Sequence, residues 1–147
     1  MGGGKWEREL VNTLDECGFV AMRAPASGSS TARDLPDVLA LRRADRYDEP
    51  LAEAFAVELK ATAKNVAYVE PHEVAALERF AERAGAVPLL GARFKRNGYD
   101  RLIYLVRPED AGRTQGDHAG NYSVHVDEAD GAAAVVVDAT NSEVRFA

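Results

Sequence analysis

Apolar residues recur along this chain at two spacings, and the switch between them lays out its elements. Trp6, Leu10, Leu14 and Cys17 repeat at helical spacing and Gly18 ends the run, which predicts a helix over residues 4–17. Phe19–Arg23 reads as a short strand, and the small-residue stretch over residues 24–32 that follows has no apolar anchor. Asp37–Leu41, introduced by Pro36, and Phe55–Lys60 read as the second and third strands, separated by a charged connection over Arg42–Pro50. A second helix is expected over Pro71–Ala84, with proline in its first turn, Val74, Leu77, Phe80, Ala81 and Ala84 as its buried stripe, and Gly85 as its stop. Strands follow at Val87–Phe94 and Leu102–Val106, joined by the turn Lys95-Arg96-Asn97-Gly98. This order predicts an α/β fold, a central mixed five-stranded sheet flanked by helices. From Pro108 onward the pattern thins, and only Tyr122–Val126 and Ala132–Val137 alternate like strands. Residues 1–107 are therefore expected to form the main domain, with 108–147 an acidic extension, a β-hairpin packed on the same domain.

At 147 residues the chain fits one compact domain. No apolar run approaches the roughly 20 residues that cross a bilayer. The start, Met1-Gly2-Gly3-Gly4-Lys5-Trp6, has no signal-peptide stretch, so an intracellular protein without a membrane partner is expected. The single cysteine, Cys17, excludes internal disulfides and a multi-cysteine zinc site, and reads as a small core residue. A net charge of -6 argues against a polyanionic partner until it is divided along the chain. Residues 1–107 hold 16 acidic and 16 basic side chains, whereas 108–147 hold 8 acidic and 2 basic, so the whole excess belongs to the tail. A balanced body leaves room for a basic face. The acidic, lysine-poor composition also suits a strongly saline cytoplasm.

The chemistry sits on the strands. Pro36-Asp37 opens the second, and 21 positions after Asp37 come Glu58-Leu59-Lys60 on the third. In an extended strand Glu58 and Lys60 emerge on one face while Val57 and Leu59 point to the other. Asp37 on a neighbouring strand would then share a hard divalent cation with Glu58, since carboxylates and water are the donors Mg²⁺ accepts. An amine beside them suits orienting or helping to deprotonate an attacking water, and offsetting charge on a phosphate. The bare Asp/Glu-x-Lys spacing arises by chance in many proteins. Here, however, both halves fall on strands, and Glu7 adds a third acid on the inward side of the first helix, where a carboxylate needs a partner or a metal. Arg8, Arg23, Arg33, Lys64, Arg93, Lys95 and Arg96 lie near strand ends and loops as a plausible phosphate-contacting surface, while His72, His118 and His125 show no ligand spacing.

Gly4-Lys5-Trp6-Glu7-Arg8-Glu9-Leu10, Gly18-Phe19 with Arg23, Ser27-Gly28-Ser29, Pro36-Asp37, Glu58-Leu59-Lys60, Tyr68 and Leu77-Glu78-Arg79-Phe80-Ala81 resemble, in order and spacing, the archaeal Holliday junction resolvases. These are PD-(D/E)xK nucleases of restriction-endonuclease-like fold. The resemblance spans about residues 4–106. It implies a homodimeric, Mg²⁺-dependent endonuclease, with Mn²⁺ as a substitute, that makes paired symmetric nicks in branched four-way DNA. On that resemblance residues 1–107 are the nuclease domain. Glu7, Asp37 and Glu58 are the catalytic and metal-binding acids, Lys60 is the catalytic lysine, and Ser27 assists at the scissile strand. Arg8, Arg23 and Lys64 contact DNA, and Phe80 lies at the dimer interface. The resemblance leaves recombination or replication partners unspecified.

Overall fold

The computed structural model describes residues 3–24, 34–44, 51–116 and 119–147. Its elements run α1 (Gly3–Glu16), β1 (Val20–Arg23), β2 (Val38–Arg43), β3 (Ala52–Thr62), β4 (Val66–Val69), α2 (Pro71–Ala84), β5 (Val87–Phe94) and β6 (Leu102–Val106). A 3-10 turn over Pro108–Asp110 leads to β7 (Gly112–Arg113), β8 (Tyr122–His125), α3 (Ala129–Ala132), β9 (Ala133–Asp138) and β10 (Glu143–Phe146). Helix α1 forms where its stripe buries Leu10 and Leu14, and it carries Thr13 inward by returning that hydroxyl to the Glu9 carbonyl at 2.8 Å. Helix α2 starts on Pro71 and stops at Gly85, whose φ of 71° lets the Ala86 N–H reach the Ala81 carbonyl at 2.9 Å. The predicted stripe of α2 is corrected at its end. Val74, Leu77 and Ala81 are buried, but Phe80 is half-buried and Ala84 is exposed. Helical period fixes where a side chain points, not how far the sheet beneath extends.

Among the described residues the main sheet has seven strands in the order β1-β2-β3-β5-β6-β9-β10, two more than the five expected. The extra pair is β9 and β10, which continue the sheet beyond β6 in antiparallel register. Among the described strands only β3 and β5 pair parallel, and α2 lies between them as the crossover that a parallel pair requires. A second, antiparallel sheet of order β4-β8-β7 was not anticipated from the pattern.

Two faces of the main sheet carry the core. On one, Leu10 and Leu14 of α1 pack with Phe19, Val38, Ala40, Phe55, Val57, Leu59, Leu89, Ile103, Leu105, Val135 and Val137. On the other, Val74 and Leu77 of α2 meet Ala56, Val69 and Leu90. Beside them Phe94, Tyr104, Val106, Val124 and Val136 form a second patch beneath β8 and α3. Strand β3 therefore faces α1 with Phe55, Val57 and Leu59, and faces α2 with the alternate positions Ala56, Glu58 and Lys60. That parity is what aims the acid and the amine.

Candidate active site

Strands β2 and β3 pair antiparallel with Val38 opposite Val57, so one further step of the register sets Asp37 opposite Glu58. Directly opposed residues share a face of the sheet, which brings the two carboxylates together on the α2 side. Asp37 is fixed there by the Leu59 N–H, which donates to its Oδ2 at 2.8 Å. Asp37 and Glu58 are also within hydrogen-bonding reach of each other. Burial raises both pKa values, and for Glu58 the neighbouring charges of Asp37 and Glu73 add to it, pushing its carboxyl up to about 8. The pair thus holds one proton between two oxygen-rich groups at neutral pH. That donor set fits a hard divalent cation, which would take the place of the shared proton.

Lys60 lies on the same face, two residues along β3. Its ammonium donates to Glu73 Oε2 at 2.8 Å. Burial opposes the Lys60 charge, but the bond and the charge of Glu73 outweigh it and hold the amine above its ordinary pKa. Glu73 is correspondingly lowered: burial works against its charge, and Lys60 prevails. This fourth carboxylate was missed in the sequence, where it reads as an ordinary acid in the first turn of a helix. Its only signal there is placement three residues after Glu70, in the helix-start pattern.

Glu7 stands apart from this group. Arg23 Nε donates to its Oε1 at 3.3 Å, while burial and the charge of Asp37 raise its pKa against the pull of Arg23 and Arg8. Among the described residues no three carboxylates, imidazoles or thiols converge to hold one ion, so the donors brought together here are Asp37 and Glu58. Arg8 and Arg23 do converge. A Cβ built on Gly4 would lie 3.0 Å from Arg23 Nη2 and 3.2 Å from Arg8 Nη1, so two guanidinium groups meet over the first turn of α1. Like charges held together at a helix N-terminus suit a phosphate. Lys64 is exposed in the turn after β3, where its N–H donates to Thr62 Oγ1 at 3.1 Å. Arg93, expected on the contact surface, is instead buried: it binds the Asp100 carbonyl and Glu9 and lies 4.6 Å from the Trp6 ring centre. Lys95 and Arg96 are exposed, Arg96 bonded to Asn65. Phe80 borders a surface recess of about 280 Å³ with Asp34, Leu35, Arg83 and Ala84. Ser27 and Arg33 lie outside the described residues.

A mixed sheet with a helix on each face, carrying Pro-Asp at the head of one strand and Glu-x-Lys on the next, defines a restriction-endonuclease-like protein of the PD-(D/E)xK type. The chain belongs to the archaeal Holliday junction resolvase (Hjc) family, which matches it over residues 2–140. The crossover junction endodeoxyribonuclease Hjc of Sulfolobus acidocaldarius is 30% identical over 121 residues, 82% of this chain and 73% of that protein. The crossover junction endodeoxyribonuclease Hje of Saccharolobus solfataricus is 33% identical over 110 residues, 74% of this chain and 75% of its own length. In fold, the chain is similar to the Holliday junction resolvase Hjc of Archaeoglobus fulgidus, with a TM-score of 0.67 at 23% identity, covering 86% of this chain and 89% of that one.

Proposed function

We propose that this protein is an endonuclease that resolves four-way (Holliday) DNA junctions by Mg²⁺-dependent phosphodiester hydrolysis, with Mn²⁺ as a substitute, and acts on nucleoid DNA in recombination and repair. Family membership supports the junction as substrate. The observation that carries the chemistry is the Asp37–Glu58 pair, two carboxylates set opposite each other by the β2–β3 register beside the Lys60 amine on the same sheet face.

Asp37 and Glu58 hold the cation, and Glu7, electrostatically linked to Asp37, completes the acidic set. A cation held there would supply Lewis-acid polarisation of the scissile phosphoryl group. Lys60 stays protonated through Glu73, so its task is to orient the water through a hydrogen bond and to offset charge building on the phosphate, rather than to remove a proton. Arg8 and Arg23 grip a flanking phosphate, Lys64 a further one, and Ser27 assists at the scissile strand. The products carry 5′-phosphate and 3′-hydroxyl ends. Phe80, half-buried at the edge of its cluster beside an open recess, is a contact between two copies of the chain. A homodimer presents one site to each of two strands and so makes paired, symmetric nicks. Residues 1–107 supply the active-site side chains of the nuclease domain, and the acidic stretch 108–147 completes that domain's main sheet with β9 and β10.

The test is cleavage of labelled four-way junction and matched linear duplex, at low and at molar salt, with Mg²⁺ or EDTA, beside Asp37→Asn. The amide keeps an oxygen for the Leu59 N–H, so the variant is expected to fold and bind junction while its cleavage rate falls by roughly 10²-fold or more. Paired nicks on the junction alone, lost in EDTA, are the expected result. Equal cutting of duplex would instead make this a general repair or restriction nuclease, and binding without cutting a non-catalytic DNA-binding module.

A further inference from the structure

The helix-start pattern accounts for Glu73 as a cap, but neither that pattern nor the acid–lysine motif accounts for its contact with Lys60. Its two carboxylate oxygens are divided between two tasks. Oε1 accepts the Glu70 N–H at 3.3 Å, one of the donors that a helix start leaves without an intrahelical partner. Oε2 accepts the Lys60 ammonium at 2.8 Å. Both side chains are largely shielded, at 34% exposure for Lys60 and 23% for Glu73, so the pair is screened less than a surface bridge. A lysine side chain has four rotatable bonds and much freedom to lose. Within the motif Asp37 bonds the backbone of β3 and Glu58 lies against Asp37, so both act on the amine through charge alone and neither fixes it by a hydrogen bond.

We propose that Glu73 is the positioning residue for Lys60, a carboxylate anchored to the start of α2 that holds the amine in place on the β3 face beside Asp37 and Glu58. Helix α2 thereby contributes to the site through a side chain that holds Lys60 and lies beside Glu58. This rests on the nuclease reading for its consequence on rate, though not for the contact itself. A fixed amine meets the phosphate already oriented, and a loose one must be ordered at each turnover.

The test uses the full chain and reads order and rate separately. The protein has only four lysines, Lys5, Lys60, Lys64 and Lys95, so ε-¹³C-labelled lysine gives four assignable NMR signals in metal-free protein. Lys60 is expected to be rigid in the wild type and as mobile as Lys64 in Glu73→Ala, with Glu73→Gln recovering part of the order through its neutral oxygen. Single-turnover junction cleavage with Mg²⁺ is expected to fall roughly 10²-fold in Glu73→Ala, and less in Glu73→Gln, while junction affinity in EDTA stays within about twofold. Val74→Ala, which weakens the same helix turn from its core side, controls for stability: Lys60 should stay rigid and the rate unchanged below the melting temperature. Lys60 equally ordered in wild type and Glu73→Ala, or an equal loss of rate in Val74→Ala, overturns the proposal. If the wild type cuts no junction, the nuclease reading falls and the ordering measurement alone decides whether Glu73 holds Lys60.

Discussion

Between Asp37 and Glu58 the metal-free protein keeps a proton that the unfolded chain would release. Glu58 titrates at about 8 in the fold, against an ordinary value of 4.5. Because the folded pKa is the higher one, this group's contribution to stability is fully present below the unfolded value and is lost as pH rises through the folded one. Melting temperature in EDTA is therefore expected to fall from pH 6 to pH 9, and Glu58→Gln, which keeps a donor for Asp37 without a charge, should flatten that slope. Circular dichroism melts across the range check it; a wild-type curve as flat as the variant's would remove the shared proton. At this scale the Asp37, Glu58 and Lys60 constellation was legible in the sequence, because strand alternation alone decides that Glu58 and Lys60 face together. Glu73 was not. Its partnership depends on where a helix crosses a sheet, and an acid in the first helical turn has a sufficient local reason to be there. Arg93 misled for the complementary reason: a long cationic side chain near a strand end looks like surface until a ring, a carboxylate and a carbonyl close over it.

Strand β5 is closely approached by the strands on both sides. A Cβ added to Gly91 would stand 3.0 Å from Leu59 Cδ1, 3.1 Å from Val57 Cγ1 and 3.3 Å from Leu105 Cδ2, so glycine leaves the space into which strands on both sides turn their large side chains. Gly91→Ala is expected to destabilise the fold by about 1–3 kcal/mol through overpacking, read as a lower urea midpoint at unchanged slope. A neutral substitution would mean that Leu59 and Leu105 repack freely. The long periodic segments, α1, α2, β5 and β6, were readable within a residue or two. Strand β3 proved longer than its apolar run, since Ala52-Glu53-Ala54 pairs with Leu41, Arg42 and Arg43, and those two arginines read as part of the charged connection. Strands β4, β7 and β10 were missed because segments of two to four residues carry too little alternation to stand out.

The seven-stranded sheet makes residues beyond 107 part of the molecule's interior: Val135 and Val137 of β9 lie in the same core as Leu10 and Leu14 of α1. A chain ended after Arg107 leaves Ile103 and Leu105 without that cover and β6 with an open edge, so it is expected to aggregate rather than yield a folded nuclease. Gel filtration and hydrogen exchange of the shortened chain test this, and a monomer with a protected β6 would contradict it. Composition gave no access to this arrangement, because 8 acidic against 2 basic side chains over 108–147 mark a surface and say nothing of its underside. At the rim of the sheet, Phe146 of β10 stacks 6.4 Å from Phe19 and lies 6.4 Å from Phe55, with the Arg42 guanidinium 4.1 Å from its ring centre. Its effect is on timing during synthesis. Phe19 and Phe55 leave the ribosome well before the strand that covers them, so the face they share must wait, exposed, until β10 arrives. Long-range closure of this kind is slow and invites association in the interval. A nascent chain paused before residue 133 should therefore hold chaperones that the released protein does not.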